Sequence, residues 1–128
     1  MVIDSSAILA ILFAEAERET FNEKIAAATF RLISAPNLVE CSLVIESRKQ
    51  ALGRAELELF VYEAELTVVA FDRLQADLAA TAWRTYGKGR HPASLNFGDC
   101  FAYALAKSRN EPLLYKGNDF SQTDIAQA

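Results

Sequence analysis

Four acidic side chains stand where an α/β chain gathers its chemistry. Asp4 ends the apolar run "MVID", Glu40 lies inside "LVECSLV", Asp99 inside "FGDCFAY" and Asp119 inside "GNDF". The first three have apolar neighbours, where an ionised carboxylate is costly unless it meets an opposite charge or a metal. No Lys or Arg lies close in sequence to Asp4. Four carboxylates brought together repel one another unless a hard divalent cation neutralises them, and an all-oxygen ligand set suits Mg²⁺ or Mn²⁺. Such a cluster suits phosphodiester hydrolysis, in which bound metal polarises the phosphate, activates a water and stabilises the leaving oxygen. No Ser-His-Asp set is evident, and the single histidine, His91, falls in a loop.

Each acid also has an ordinary explanation. Asp4 fits a strand-to-helix turn with Ser5 and Ser6. Glu40 follows Asn37 by three residues and Asp99 follows Asn96 by three, a spacing like that of a capping box. Asp119 fits a turn. Capping does not require the acids to converge, whereas a metal site does. Their placement predicts that Asp4, Glu40 and Asp99 come within reach of one cation. Cys41 and Cys100 each follow one of these acids. Hard cations prefer oxygen, so both are read as small core residues.

The elements that must hold these acids alternate along the chain. "MVID" reads as a very short strand, with Ser5 and Ser6 as N-cap candidates for the helix "AILAILFAE". A polar helix "ERETFNEKIAAA" precedes a strand "FRLISAP" that Pro36 ends. Asn37 then caps the helix "LVECSLVIESRKQAL", which Gly53 stops. "RAELELFVYEAE" is helical by pattern, "LTVVAF" is a β-branched strand, and Asp72 caps "RLQADLAATAWRTY". After the loop "GKGRHPASLNFG" comes a helix opened by Asp99, then a strand "EPLLYKG". The apolar stretches around Glu40 and Asp99 predict helices buried all round. Short apolar strands alternating with helices predict an α/β fold with a mostly parallel sheet covered on both faces. Sites in such sheets form beyond the carboxyl ends of the strands, where strand order reverses.

Composition bounds the rest. The 128 residues suit one domain, and 52% hydrophobic content supports a real core. A net charge of −4 weighs mildly against a nucleic-acid partner, although a local patch or a bound cation can reverse the sign at a site. No apolar run approaches the ~20 residues that span a bilayer. The start has no basic stretch of the kind that opens a signal peptide. Two cysteines without metal-type spacing suit a reduced cytoplasmic setting.

The stretches "VIDSSA", "LVECSLVIESR", "GKGRHPASLNFGDCFAYALA" and "LLYKGNDFSQTDI" resemble the PIN-domain nucleases, specifically the VapC toxins of VapBC toxin–antitoxin systems, over nearly the whole chain. The resemblance implies a single PIN domain over residues 1–128, Rossmann-like, its mostly parallel sheet flanked by helices on both faces. It implies a cytoplasmic, metal-dependent endoribonuclease, the homodimeric toxin of a type II system, inhibited by a VapB-type antitoxin. The family's catalytic and metal-binding acids fall on Asp4, Glu40, Asp99 and Asp119, with Asp124 a distant substitute for the last. Its small hydroxyl falls on Ser6. In that setting the basic loop of Lys88, Arg90 and His91 is either a solvated loop or a contact for RNA phosphates, which Arg48, Lys49, Arg84 and Lys116 would extend. Trp83 and Tyr86 read as core or interface. Phe60, Val61 and Trp83 offer dimer-interface material, and core use fits them equally. Two other readings compete. One is a non-catalytic PIN-like binding module. The other is a receiver-type phosphoacceptor domain, which wants adjacent acids after the first strand, where Asp4 is followed only by Ser5 and Ser6.

Overall fold

The computed structural model describes all 128 residues. Four short strands, β1 (Val2–Ile3), β2 (Leu32–Ser34), β3 (Thr67–Val69) and β4 (Leu113–Leu114), form one sheet in the order β3-β2-β1-β4. Every pairing is parallel, with Val2 opposite both Leu32 and Leu113. Parallel strands need crossovers, and five helices supply them: α1 (Ser5–Leu12), α2 (Arg18–Ala27), α3 (Ala35–Glu63), α4 (Arg73–Tyr86) and α5 (Phe97–Arg109). The chain runs outward from β1 to β2 and β3, then returns to place β4 on the other side of β1. Strand order therefore reverses between β1 and β4, and the carboxyl ends there flank a crevice.

Strand alternation divides the core. Val2, Leu32 and Leu113 face one side, where they pack with Ala79 and Ala82 of α4 and Tyr103 and Leu105 of α5. Ile3, Ile33 and Leu114 face the other, against Ile8 and Ile11 of α1, Phe21 and Ile25 of α2, and Ile45 and Leu57 of α3. Two residues per strand thus suffice to anchor helices on both faces, because successive side chains point to opposite sides of a sheet. No helix of the molecule is long and apolar enough to cross a membrane.

Several expected boundaries move. Pro36 does not end β2. It occupies the first turn of α3, where a missing N–H costs nothing and a fixed φ suits the helix. Helix α3 therefore begins before Asn37, with Ser34 in the N-cap position, and Asn37 lies inside as a fully buried residue. Gly53 does not stop that helix. The break falls at Gln50, with φ 51° and ψ −133°, and α3 is two helical segments on either side of it. Gly53 serves close packing instead: a Cβ there would stand 2.6 Å from the carbonyl oxygen of Ile45. Around Glu40 the helix is not buried all round, since Val39 and Leu43 are 57% and 68% exposed. Helix α5 does meet the expectation along most of its length, with Asp99, Cys100 and Ala102 to Ala106 buried. The tail adds one parallel bridge, Gln127 to Leu113, in place of a further strand.

Candidate functional site

Asp4 follows β1 directly and is 2% exposed. It is itself the N-cap of α1, accepting a hydrogen bond from the Ser6 amide at 3.0 Å through Oδ2, so neither serine holds that position. Its other oxygen, Oδ1, is buried without a partner. Asp99 sits in the first turn of α5 in a complete capping box. Its Oδ2 accepts from the Asn96 amide at 3.0 Å, and its own amide donates to Asn96 Oδ1 at 2.9 Å. Glu40, half-buried in the second turn of α3, accepts at Oε1 from Ser5 Oγ at 2.8 Å and Asn37 Nδ2 at 2.9 Å. No backbone amide or basic side chain reaches the remaining oxygen of either Asp99 or Glu40. Each of these acids commits one oxygen to a local hydrogen-bond scaffold, and the other meets no cationic partner.

The carboxylates meet as a chain of pairs. Asp4 feels the charge of Glu40, and Asp99 feels the charges of Asp4 and of Asp119, whose carboxyl lies within hydrogen-bonding reach of its own. They do not form a closed cage, for no three His, Cys, Asp or Glu side chains are grouped so as to hold an ion. The protein's six ion pairs all use other acids, leaving Asp4, Glu40, Asp99 and Asp119 without a cationic partner. Burial, with the neighbouring Glu40 adding to it, raises the Asp4 carboxyl from its ordinary 3.8 to about 6. Burial, then Asp4 and Asp119, raises Asp99 to about 7. These are carboxylates kept near one another at an electrostatic cost.

Whether the residues fit a divalent cation is decided by that unpaired oxygen set. Asp4 Oδ1 is an orphaned buried acceptor among carboxylates with no cation of the protein's own, and oxygen donors of this kind suit Mg²⁺ or Mn²⁺. Ser6 lies at the same edge, its Oγ accepting from the Lys116 amide at 3.0 Å and so tying the end of β1 to the end of β4. Asp124 is engaged elsewhere: it accepts from Tyr103 Oη at 2.7 Å and pairs with Lys107 at 2.6 Å, which together hold its carboxyl low. Cys41 and Cys100 are buried, and burial with the adjacent acids pushes both thiols up, so they stay protonated core residues.

The basic loop is partly committed to its own structure. His91 Nδ1 accepts from the Ala93 amide at 3.0 Å, and the ring packs edge-on to Tyr86. The Arg90 guanidinium lies 4.2 Å from the centre of the Trp83 ring, its charge exposed. Lys88 is exposed beside an apolar cleft of about 600 Å³ walled by Phe71, Trp83, Phe97 and Phe101. The more distant basic residues have partners within the chain: Lys49 with Glu56, Lys116 with Glu15 and Glu17, Arg48 over Phe13, and Arg84 with Thr81. Phe60 and Val61 pack against the core, while Trp83 is 44% exposed.

Three residues of this site escaped sequence reasoning. Asn37 bridges α3 and α5. Gly98 lets Glu40 approach so closely that a Cβ would fall 2.0 Å from Oε2. Ser34, at the end of β2, is buried with its hydroxyl unpartnered. The glycine adjoins Asp99 and the asparagine stands three residues before Glu40, but only the helix packing gives that proximity a meaning.

Comparison with known proteins agrees with this architecture. The model of the PIN domain family matches residues 1–126. Ribonuclease VapC30 of Mycobacterium tuberculosis is 50% identical over 126 residues, covering 98% of this chain and 96% of the relative. Ribonuclease VapC of Mycolicibacterium smegmatis is 48% identical, covering 98% of each. Among solved structures, Mycobacterium tuberculosis VapC20, described as a toxin that cleaves the sarcin-ricin loop, superposes with a TM-score of 0.77 over 99% of this chain and 97% of that one, at 18% identity. A toxin–antitoxin complex from Klebsiella pneumoniae contains a chain that superposes at 0.71, covering 96% of this chain and 92% of that one, at 15% identity.

Proposed function

Because the chain belongs to the PIN-domain family, among its VapC ribonucleases, we propose that it is the toxin of a type II toxin–antitoxin system and cleaves RNA as a metal-dependent endoribonuclease. One PIN domain over residues 1–128 carries the activity. The observation that supports this most strongly is the row of carboxylates at the reversal of strand order, each without a cationic partner and one with a buried orphan oxygen. The family match gives no support to a receiver-type phosphoacceptor.

Asp4, Glu40, Asp99 and Asp119 would hold Mg²⁺ or Mn²⁺, Asp4 and Glu40 through the oxygens that their hydrogen bonds leave free. The bound cation supplies charge for the scissile phosphate and acidity for the attacking water. The protein's own part is positioning. Asp4 and Asp99 are fixed at the N-termini of α1 and α5, where helix dipoles favour their ionised forms. Ser6 ties the loop after β4, which carries Asp119, to the end of β1. Lys88 and Arg90 bind RNA phosphates beside the acidic edge, while His91 shapes their loop. A VapB-type antitoxin and a second copy of the chain complete the assembly.

Incubating the purified protein with RNA tests this reading. Cleavage that requires Mg²⁺ or Mn²⁺ and stops with a chelator is expected. RNA binding without cleavage under any divalent cation would favour the non-catalytic PIN-like module.

A further inference from the structure

Asn37 is fully buried in the first turn of α3. Its Nδ2 donates to Glu40 Oε1 at 2.9 Å and to the Gly98 carbonyl at 3.0 Å. Both partners are acceptors only, which fixes the orientation of the amide. Gly98 immediately precedes Asp99. One side chain therefore links the Glu40 carboxylate to the backbone that carries Asp99, across the α3–α5 junction. The missing Cβ of Gly98 is the other half of the joint, since Glu40 Oε2 occupies the space it would fill. A capping asparagine would direct its carbonyl oxygen to a helix amide, but Asn37 Oδ1 is buried without a partner. A buried acceptor left unsatisfied costs stability, so the residue is placed for what its NH₂ group does.

We propose that Asn37 is a positioning residue: it occupies Glu40 Oε1, leaves Oε2 as the free oxygen, and sets the spacing between Glu40 and Asp99 that cation binding requires. This rests on the reading of Glu40 and Asp99 as cation ligands. Partners that orient metal ligands change affinity by about 10- to 100-fold when removed, which gives the size of effect to look for.

The test is a double-mutant cycle on Mn²⁺ affinity, measured by electron paramagnetic resonance of the free ion at a temperature where circular dichroism shows every variant folded. Asn37→Ala is expected to weaken Mn²⁺ binding about tenfold or more. Asn37→Ser, which keeps one donor where Asn37 supplies two, is expected to fall between, and it carries the comparison if the alanine variant does not fold. In a Glu40→Gln background the same changes are expected to add little, because Asn37 acts through Glu40. Wild-type affinity in a folded Asn37 variant, or a loss that simply adds to that of Glu40→Gln, overturns the proposal. If Glu40→Gln alone leaves Mn²⁺ binding unchanged, the assignment of Glu40 itself fails and the role of Asn37 falls with it, an outcome distinct from the first two.

Discussion

Asp99 caps a helix and belongs to an acidic cluster at once. Its Oδ2 secures the Asn96 amide, and the carboxyl still faces Asp4 and Asp119. Asp4 repeats the arrangement at α1, and Glu40 repeats it with Ser5 and Asn37. Scaffolding of this kind holds each carboxylate in one rotamer, so that a ligand meets a set already oriented. The cost appears in titration. Asp4 and Asp99 have folded values of about 6 and about 7, against an ordinary 3.8. The folded state therefore binds more protons than the unfolded chain between these limits, and stability changes with pH in a definite direction. Without a cation, the stabilisation is full below about pH 4 and is lost as pH rises through 6 and 7. Thermal melts in chelator are expected to move upward when pH falls from 7.5 to 5. With saturating Mg²⁺ the ionised forms are favoured, so the gap between the two melting curves closes as pH falls. A chelated protein that loses stability over the same range contradicts the burial of these acids.

At the scale of elements, α3 carries the largest departure from expectation. Gln50 adopts φ 51° and ψ −133° in the middle of a run of strong helix formers. An L side chain in that region costs on the order of 1–3 kcal/mol, which glycine avoids. Gln50→Gly is expected to stabilise the protein by about 1 kcal/mol net of its greater unfolded-chain freedom, read from the midpoint of urea unfolding. A loss of about 1 kcal/mol, the penalty for glycine within a regular helix, contradicts the break. The strain was invisible in sequence because no glycine or proline stands at position 50. The nearby Gly53 drew the boundary to itself, although packing against Ile45 explains it. Elsewhere local rules carried through. Asp72 does cap α4, accepting from the Gln75 amide, and the alternation of helices with short apolar strands gave the parallel sheet. The four acids were legible because strand ends and helix starts are local features. The Asn37–Gly98 bridge was not, since it joins residues 61 positions apart.

For the molecule as a whole, a net charge of −4 leaves binding of a polyanion to local features. Of the basic side chains named above, Lys49 is neutralised by Glu56 and Lys116 by Glu15 and Glu17. Lys88 has no ion pair, and the exposed Arg90 is held over Trp83 in an arrangement that leaves its charge available. If both meet phosphates, Lys88→Ala with Arg90→Ala is expected to lower the salt slope of single-stranded RNA binding by about 0.7 for each phosphate no longer neutralised. Mn²⁺ affinity should be little changed, because neither side chain is a ligand. An unchanged slope identifies a solvated loop.

On the proposed reading, the carboxylates at the edge between β1 and β4 would hold a divalent cation on which RNA cleavage depends. Asp99→Asn tests it most directly, since the amide oxygen keeps the bond to the Asn96 amide while the charge is removed. The rate of Mg²⁺-dependent cleavage of a defined RNA should be measured for both proteins, with thermal melts in chelator alongside. The variant is expected to melt at or above the parent, relieved of a buried charge, and to cleave about a hundredfold more slowly or worse, as fits the loss of several kcal/mol of metal-assisted stabilisation. A folded variant that cuts RNA at the parental rate would contradict the claim and leave Asp99 with its capping role alone.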